Sequence, residues 1–160
     1  MRLFLTGGMG FIGSHTAVEL IESGHEVVLY DNLSTASECV AECIERITGT
    51  KPRFIRGDIR DTKTLRDALE QSKPDVVIHF AGLKAVGESC QKPLEYYDNN
   101  VNGTLVLLDC MRKVGVFNLI FSSSSTVYGT PQKLPLTEDH PTGGVTNPYG
   151  RTKLFIEDIL

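Results

Sequence analysis

A glycine-rich turn near the N-terminus constrains the fold of this chain more than any other feature. The turn TGGMGFIG follows the short apolar run RLFL, and Gly7, Gly10 and Gly13 form a G-x-x-G-x-x-G pattern. Glycines at this spacing allow a tight turn, a close backbone approach by a ligand and close packing of a helix against a strand. The next segment, FIGSHTAVELIESG, has helical apolar spacing and a possible stop at Gly24. The pattern predicts a strand, a turn and a helix.

Five short β-rich runs alternate with helical patterns along the chain. They are RLFLTG, HEVVLYD, KPRFIRGD, PDVVIHFAG and VFNLIFSSSS. Val76, Val77 and Ile78 are continuously apolar, as in a strand that is covered on both faces of a parallel sheet. We therefore predict an α/β fold of the Rossmann type, a doubly wound parallel sheet, with one domain over residues 1–160.

A longer helical pattern begins at Pro93, and residues 126–146 are typical of a loop because they are rich in proline and glycine. Apolar residues in the helical pattern recur at spacings of three and four, and we expect this stripe to be buried. The stripe consists of Leu94, Tyr97, Val101, Leu105 and Leu108.

The composition excludes several classes of protein. Apolar residues make up 41% of the 160 residues and charged residues 22%, with a formal net charge of -4. Lysine and arginine are scattered, so we predict no nucleic-acid partner. No apolar run approaches the about eighteen residues that cross a bilayer, and no signal peptide is recognisable. We therefore predict a cytoplasmic protein with no membrane partner.

The cysteines are Cys39, Cys43, Cys90 and Cys110, and they lack the paired C-x-x-C spacing of a zinc site. We expect them to be reduced and structural. Cys39 and Cys43 stand at helical spacing, but no histidine lies nearby in sequence to complete a metal site. No metal is predicted.

Acidic residues end the second and third predicted strands. Asp31, twenty-four residues after Gly7, can accept hydrogen bonds from both ribose hydroxyls of a dinucleotide, although an aspartate there can also cap a turn. Its charge would repel a 2′-phosphate, which favours NAD over NADP. Asp58 is placed to receive the adenine amino group, with Ile59 beside the ring. Helix N–H groups after the glycine turn would meet the pyrophosphate.

A serine run follows the fifth predicted strand, and a tyrosine and a lysine open the last helix. Tyr149 and Lys153 lie one turn apart behind Asn147, a good N-cap. An ammonium beside a phenol favours the phenolate, so the pair can serve as a general base near neutral pH. A Ser, Tyr, Lys set can deprotonate an alcohol while nicotinamide accepts its hydride. Spacing does not decide which serine of residues 122–125 takes part, and the alternatives are a turn cluster and a surface Tyr-Lys pair.

Together these motifs resemble the extended short-chain dehydrogenase/reductase superfamily and, within it, the UDP-glucose 4-epimerase family. The matching stretches are TGGMGFIGSHTAVEL, DNL, HFAGLKAVGESCQKPLEYYDNNVNGT and SSSSTVYG. Related dehydratases usually carry Thr-Asp-Glu after the fifth strand, where this chain has Ser122, Ser123 and Ser124. The resemblance therefore favours an epimerase over a dehydratase, and it is weakest at STASECVAECIERITG.

The resemblance implies a reaction and residue roles. Tyr149 would be the base, Lys153 would bind the nicotinamide ribose and favour ionisation of the tyrosine, and Ser124 would hydrogen-bond to the sugar 4-hydroxyl. Tightly held NAD would take a hydride from the 4-position of UDP-galactose or UDP-glucose and return it to the opposite face of a 4-keto intermediate. The implied NAD-binding residues are Gly7, Gly10, Phe11, Ile12, Gly13, Asp31, Asn32, Leu33, Asp58, Ile59, Phe80, Ala81, Gly82, Leu83, Lys84, Asn99, Ser124, Tyr149 and Lys153.

The resemblance also implies a homodimer, built from the helices that start at Pro93 and Pro148, and a longer protein. Further sheet strands and a small UDP-sugar domain are expected beyond residue 160, so that the chain would be an N-terminal half. Two alternatives remain. One is a non-catalytic NAD-binding module or sensor, which needs only the glycines and Asp31. The other is a different nucleotide-sugar epimerase or decarboxylase, which the stretch KAVGES disfavours.

Overall fold

The computed structural model describes residues 1–160 and contains a five-stranded parallel sheet. The strands are β1 (Arg2–Thr6), β2 (Glu26–Asp31), β3 (Arg53–Arg56), β4 (Val76–His79) and β5 (Leu119–Phe121). Their order in the sheet is β3-β2-β1-β4-β5. The chain winds outward from β1 to one edge, returns, and winds to the other edge, which is the doubly wound topology. The predicted fold class is confirmed.

Seven α-helices surround or follow these strands. They are α1 (Phe11–Glu22), α2 (Cys39–Thr48), α3 (Thr62–Ser72), α4 (Val86–Gln91), α5 (Pro93–Tyr96), α6 (Gly103–Val114) and α7 (Pro148–Ile159). A π-helical segment, Tyr97–Asn102, joins α5 to α6, and a 3-10 turn, Ser125–Tyr128, follows β5. The start of α7 is as predicted, because the side chain of Asn147 accepts a hydrogen bond from the Gly150 amide at 2.8 Å. None of these helices combines the length and the apolar character that spanning a membrane requires.

The chain forms two compact units. Unit 1 comprises residues 1–81 and 106–122, and unit 2 comprises residues 82–105 and 123–160. Unit 1 contains the whole sheet with α1, α2, α3 and most of α6, whereas unit 2 contains α4, α5, the π-helical segment, the 3-10 turn and α7. The interpretation of residues 1–160 as one domain stays a prediction.

The central strands of the sheet in unit 1 are buried on both faces, whereas Ile120 of the edge strand β5 is 56% exposed. Phe4 of β1 belongs to a buried cluster that includes Leu107 of α6. Its neighbour Leu5 belongs to a second cluster, which includes Ala17 of α1 and Ile44 of α2. Successive side chains of a strand point to opposite faces, so a strand covered on both faces needs a continuous apolar run. This explains why Val76, Val77 and Ile78 of β4 are apolar without alternation.

The apolar stripe predicted along α5 and α6 is not buried, and that expectation is wrong. Leu94 is 82% exposed and Leu105 is 46% exposed, and no residue of the stripe is buried. The buried side chains of the same segment include those of Tyr96, Asn100 and Leu107. The π-helical segment has a wider turn than an α-helix, so a stripe counted at α-helical spacing does not follow one face through it. Unit 2 therefore presents an apolar face to its surroundings.

Candidate active site

The glycine turn of unit 1 leaves no room for side chains at two of its positions. Gly7 has a φ of 69°, and a Cβ placed there would lie 2.6 Å from the Ala81 amide nitrogen. A Cβ on Gly13 would overlap the Gly7 carbonyl oxygen, because the first turn of α1 packs directly on the glycine turn at this point. Glycine is therefore required at both positions, because backbone of the same unit packs where a side chain would begin.

Helix α1 presents its N-terminus after this turn. Gly10 is its N-cap, and the amide groups of Phe11, Ile12 and Gly13 occupy the first positions, which have no intrahelical acceptor. The side chains of Phe11 and Ile12 are 75% and 51% exposed. Free N–H groups and the positive end of the helix dipole suit this end of α1 for a phosphate group.

The carboxylate of Asp31 holds the end of β2 against the glycine turn. One oxygen accepts the Met9 amide at 3.1 Å, and the other accepts the Leu33 amide at 2.8 Å. Leu33 has a φ of 62°, an uncommon conformation for a residue with a branched side chain, and the bond to Asp31 supports it. Each carboxylate oxygen keeps acceptor capacity for a ribose hydroxyl. The turn-capping and ribose-binding readings of Asp31 are therefore compatible.

Asp58 carries more partners than the sequence suggests. Arg60 donates to both carboxylate oxygens, from Nε at 2.9 Å and from Nη2 at 2.8 Å, and Asn32 donates from Nδ2 at 2.9 Å. These hydrogen bonds, those from Arg60 above all, hold the pKa of the Asp58 carboxyl well below its usual range. An adenine amino group at Asp58 would share the carboxylate with Arg60. The only sequence signal for this partner is its position two residues after Asp58.

A buried pair that the sequence reasoning missed joins β1 to β4 at their carboxyl ends. The Thr6 hydroxyl and the His79 ring nitrogen Nδ1 lie 2.6 Å apart, and both residues are at most 1% exposed. The Ala81 amide donates to the same Thr6 oxygen at 3.4 Å. Phe80 and Ala81, both predicted to contact the cofactor, are thus held by the residues that end these two strands.

In unit 2, Asn100 holds the turn that contains Gly82 and Leu83. Its Oδ1 accepts the Leu83 amide at 2.8 Å, and its Nδ2 donates to the Leu83 carbonyl at 2.9 Å and to the Thr152 hydroxyl of α7 at 3.0 Å. The predicted residue Asn99 also donates to Asn100 Oδ1, at 2.9 Å. Asn100 was missed because a polar residue in a helical pattern is usually on the solvent side, whereas here it is only 2% exposed.

Lys153 is the most unusual titratable group of unit 2. It is 6% exposed, and a Cβ on Gly82 would lie 3.9 Å from its ammonium nitrogen, so the ammonium sits beside the turn that Asn100 holds. Burial lowers the pKa of Lys153 to about 8, and the carboxylate of Glu157, one helical turn further on, opposes that shift. Tyr149 lies one turn before Lys153 and is half-buried.

The structure separates the roles of two neighbouring serines. The Ser123 hydroxyl hydrogen-bonds to the Glu157 carboxylate of α7. The Ser124 oxygen accepts the Thr126 amide at 3.3 Å and the Thr126 hydroxyl at 2.9 Å, which caps the 3-10 turn. Ser124 therefore has a hydroxyl hydrogen that neither bond uses. Lys84, by contrast, is exposed.

The tight contact at Gly13 leads to a prediction about stability. Gly13→Ala is expected to lower the free energy of unfolding by about 1–3 kcal/mol, because the new methyl group forces α1 away from the glycine turn. Urea unfolding followed by circular dichroism measures the loss. The matched control is Gly87→Ala in α4, where a Cβ meets nothing within 4 Å and the helix gains stability. Equal stabilities for the two variants would contradict the packing argument.

Comparison with known proteins identifies the family. Residues 4–160 match the model of the family described as GDP-mannose 4,6 dehydratase. The chain belongs to this family. Within the family, it is 54% identical to the UDP-glucose 4-epimerase of Neisseria meningitidis serogroup B over 159 residues, which are 99% of this chain and 47% of that protein. It is also 54% identical to the UDP-glucose 4-epimerase of Haemophilus influenzae over 160 residues, 100% of this chain and 47% of that protein.

Solved structures of family members agree with these relatives. UDP-glucose 4-epimerase from Bifidobacterium longum, in complex with NAD+ and UDP, has a TM-score of 0.97 and 52% identity over 99% of this chain and 48% of that chain. UDP-glucose-4-epimerase from Stenotrophomonas maltophila, with bound NAD and formylated UDP-arabinopyranose, has a TM-score of 0.96 and 46% identity over 99% of this chain and 47% of that chain. The resemblance predicted from the motifs is confirmed. The chain spans about half the length of the curated relatives it matches.

Proposed function

We propose that this chain carries the NAD-binding and catalytic residues of a UDP-glucose 4-epimerase, an isomerase that interconverts UDP-galactose and UDP-glucose. The observation that carries the proposal is the arrangement within unit 2, where Lys153 is buried one helical turn after Tyr149 and Ser124 keeps a hydroxyl hydrogen to donate. A cofactor-binding module has no need for these three residues. The relatives named above, and the NAD and UDP in their structures, support the same reaction.

The residues of unit 1 fit NAD. The N-terminus of α1, which follows the glycine turn, offers amides to the pyrophosphate. Asp31 would accept the ribose hydroxyls and repel a 2′-phosphate, so NAD is expected to bind in preference to NADP. The other predicted cofactor-binding residues Gly82, Leu83, Lys84, Asn99 and Lys153 belong to unit 2.

The chain's own residues would move the proton of the reaction. When bound, nicotinamide supplies a reversible hydride acceptor for C4 of the sugar. Tyr149, as phenolate, would take the 4-hydroxyl proton while the C4–H bond is lost, and would give the proton back when that bond reforms on the other face. Ser124 would hold the 4-oxygen. The Lys153 ammonium would stabilise the phenolate and hold the cofactor ribose.

Epimerisation fits the serine run better than the dehydration that the family description names. Elimination of water from a sugar needs an acidic group to protonate the departing hydroxyl. Ser122, Ser123 and Ser124 stand where the motifs predict Thr-Asp-Glu in a dehydratase, and Ser123 is engaged with Glu157. An enzyme that only removes and returns a hydride at C4 needs no such acid.

Two measurements test this function. The complete gene product that contains this chain, purified with no added cofactor, should convert UDP-galactose to UDP-glucose, followed by NMR of the anomeric protons. Calorimetric titration should give an NAD affinity at least about 100-fold above that for NADP, the cost of placing a phosphate beside a carboxylate. Conversion of neither UDP-hexose despite NAD binding would support the sensor instead, and a preference for NADP would contradict the role of Asp31.

We also propose that the protein forms a homodimer through unit 2. Its support is the set of exposed apolar side chains of unit 2, which includes Leu94 and Leu105, Phe155, which is 42% exposed, and Ile159, which is 40% exposed. The rings of Tyr97 and Phe155 lie 6.1 Å apart, so this face is continuous between the π-helical segment and α7. A contiguous apolar face of this kind typically marks an interface.

The dimer proposal predicts a change of assembly. The double variant Leu94→Glu/Phe155→Glu is expected to be a monomer, because two carboxylates would be desolvated in each half of the interface. Light scattering coupled to gel filtration measures the mass. Phe117→Glu is the matched control, since Phe117 is 77% exposed but belongs to unit 1, and it should leave the dimer intact. A dimer that survives the double variant would exclude this face.

We propose a cytoplasmic location, as the sequence predicts. All four cysteines are free thiols, and Cys39 and Cys90 are exposed. Exposed free thiols are typical of a reducing compartment.

A further inference from the structure

Thr126 lies between two of the residues to which the proposed reaction assigns chemistry. Its amide and its hydroxyl both donate to the Ser124 oxygen, at 3.3 Å and 2.9 Å. On its other side it meets α7, because a Cβ on Gly150 would lie 3.0 Å from the Thr126 hydroxyl oxygen. Gly150 directly follows Tyr149 in the first turn of that helix. No motif in the sequence singles out this threonine.

The two bonds from Thr126 determine what Ser124 can do. A serine hydroxyl has two acceptor lone pairs and one donor hydrogen. The amide and the hydroxyl of Thr126 occupy both lone pairs, so the hydrogen is what Ser124 has left for a ligand. Ser124 can then donate to a sugar oxygen but cannot accept from it. A hydroxyl group bound there keeps its own proton for a base.

The contact with Gly150 determines where Ser124 lies. A Cβ at position 150 would also lie 2.6 Å from Val145 Cγ1. The first turn of α7 is therefore packed directly against Thr126 and Val145. The 3-10 turn that contains Thr126 is tied down as well, since the Gly143 amide donates to the Val127 carbonyl at 2.9 Å. Thr126 therefore has little freedom to move away from either partner.

We propose that Thr126 is a positioning residue for the reaction: its hydroxyl fixes Ser124 as a donor to the sugar 4-oxygen, and its packing on Gly150 fixes the separation of Ser124 from the turn that carries Tyr149. The proposal rests on the proposed function, because it needs a hydroxyl substrate at Ser124. It explains why one serine can serve both directions of the reaction. The hydrogen that Ser124 donates suits a 4-hydroxyl oxygen and a 4-keto oxygen equally.

Three variants of the complete gene product test the proposal. Thr126→Val keeps the shape of the side chain and removes the hydroxyl, and kcat for UDP-galactose is expected to fall about 10-fold, the worth of one hydrogen bond, with KM changed less than about threefold. Thr126→Ser restores the hydroxyl and should bring kcat back to within about threefold of wild type. Thr126→Ala removes the hydroxyl without filling the site, and repeats the test if the valine variant does not fold.

A double-mutant cycle separates positioning from mere structural support. In a Ser124→Ala background, Thr126→Val should have almost no further effect on kcat, because the group that it orients is gone. If the two losses in kcat multiply in the double variant, or if Thr126→Val is as active as wild type, the role of Thr126 is overturned and the proposed function still stands. A wild-type protein that epimerises no UDP-hexose would overturn the proposed function, and this inference with it.

Discussion

Tyr149→Phe is expected to lower kcat for the interconversion of UDP-galactose and UDP-glucose by about 10²–10⁴-fold, the usual contribution of a general base. The variant keeps the aromatic ring at the start of α7 and removes only the phenol oxygen, so helix packing and the Asn147 cap are preserved. Because the proposed base acts on the reacting hydroxyl and not on the rest of the nucleotide sugar, KM is expected to change little. Steady-state kinetics on the complete gene product separates the two constants.

Tyr128→Phe is the matched control for this experiment. Tyr128 also belongs to unit 2, but it ends the 3-10 turn, and its ring packs edge-on against His140, 5.9 Å between centroids. The control should retain wild-type kcat. If Tyr149→Phe kept more than a tenth of wild-type kcat, the base would have to be sought elsewhere in unit 2.

Lys153→Met is expected to make the protein more stable at neutral pH, by about 3 kcal/mol. Burial lowers the pKa of Lys153 from 10.5 to about 8, so the folded protein holds this proton less tightly than the unfolded chain does. Each pKa unit corresponds to about 1.4 kcal/mol, and methionine fills a similar volume without a charge. The same substitution should abolish epimerisation in the complete gene product, because the proposed function assigns this ammonium to stabilising the phenolate.

The gain in stability should depend on pH in a defined way. Below pH 8 the lysine is protonated in both states, and the folded protein bears the full cost of the buried charge. Between pH 8 and pH 10.5 the unfolded chain binds more protons than the folded one, so the wild-type free energy of unfolding rises with pH. The difference between Lys153→Met and wild type should therefore shrink across this range. Urea unfolding at pH 7, 9 and 10.5 measures it.

Lys51→Met is the control for the lysine experiment, since Lys51 is exposed just before β3. It should leave both the stability and its slope with pH unchanged. A Lys153→Met variant that is less stable than wild type at pH 7, with no rise in wild-type stability between pH 8 and pH 10.5, would mean that the folded protein stabilises the ammonium by more than burial costs it.

The strands could be predicted from the sequence because their burial is continuous. Val76, Val77 and Ile78 are apolar without alternation, which is the pattern typical of a short strand between two helical layers. The start of α7 was predictable for a similar reason, since Asn147 and Pro148 are local signals that do not depend on the rest of the fold. The glycine turn of unit 1 shares this property, because the spacing of Gly7 and Gly13 is itself a backbone requirement.

The polar contacts of unit 2 could not be predicted in the same way. Asn100 and Thr126 are ordinary polar residues in sequence, and their importance comes from partners that are distant in the chain or depend on a turn conformation. The exposed stripe that includes Leu94 shows the opposite difficulty. A periodic apolar pattern reports that a face is suited to burial, but it does not say whether the chain itself covers that face.

The pairing of β1 with β4 has a consequence for how this chain is made. Leu3 pairs with Val76, so the edge of β1 that faces β4 stays unpaired until the ribosome has added seventy-three more residues. At ribosomal rates of about 5–20 residues per second, their synthesis takes roughly 4–15 s. Throughout it, β1 presents unpaired backbone groups between side chains such as Phe4 and Leu5, an edge that invites pairing with other nascent chains. The greatest risk of aggregation for this protein therefore falls during translation, before β4 has left the ribosome.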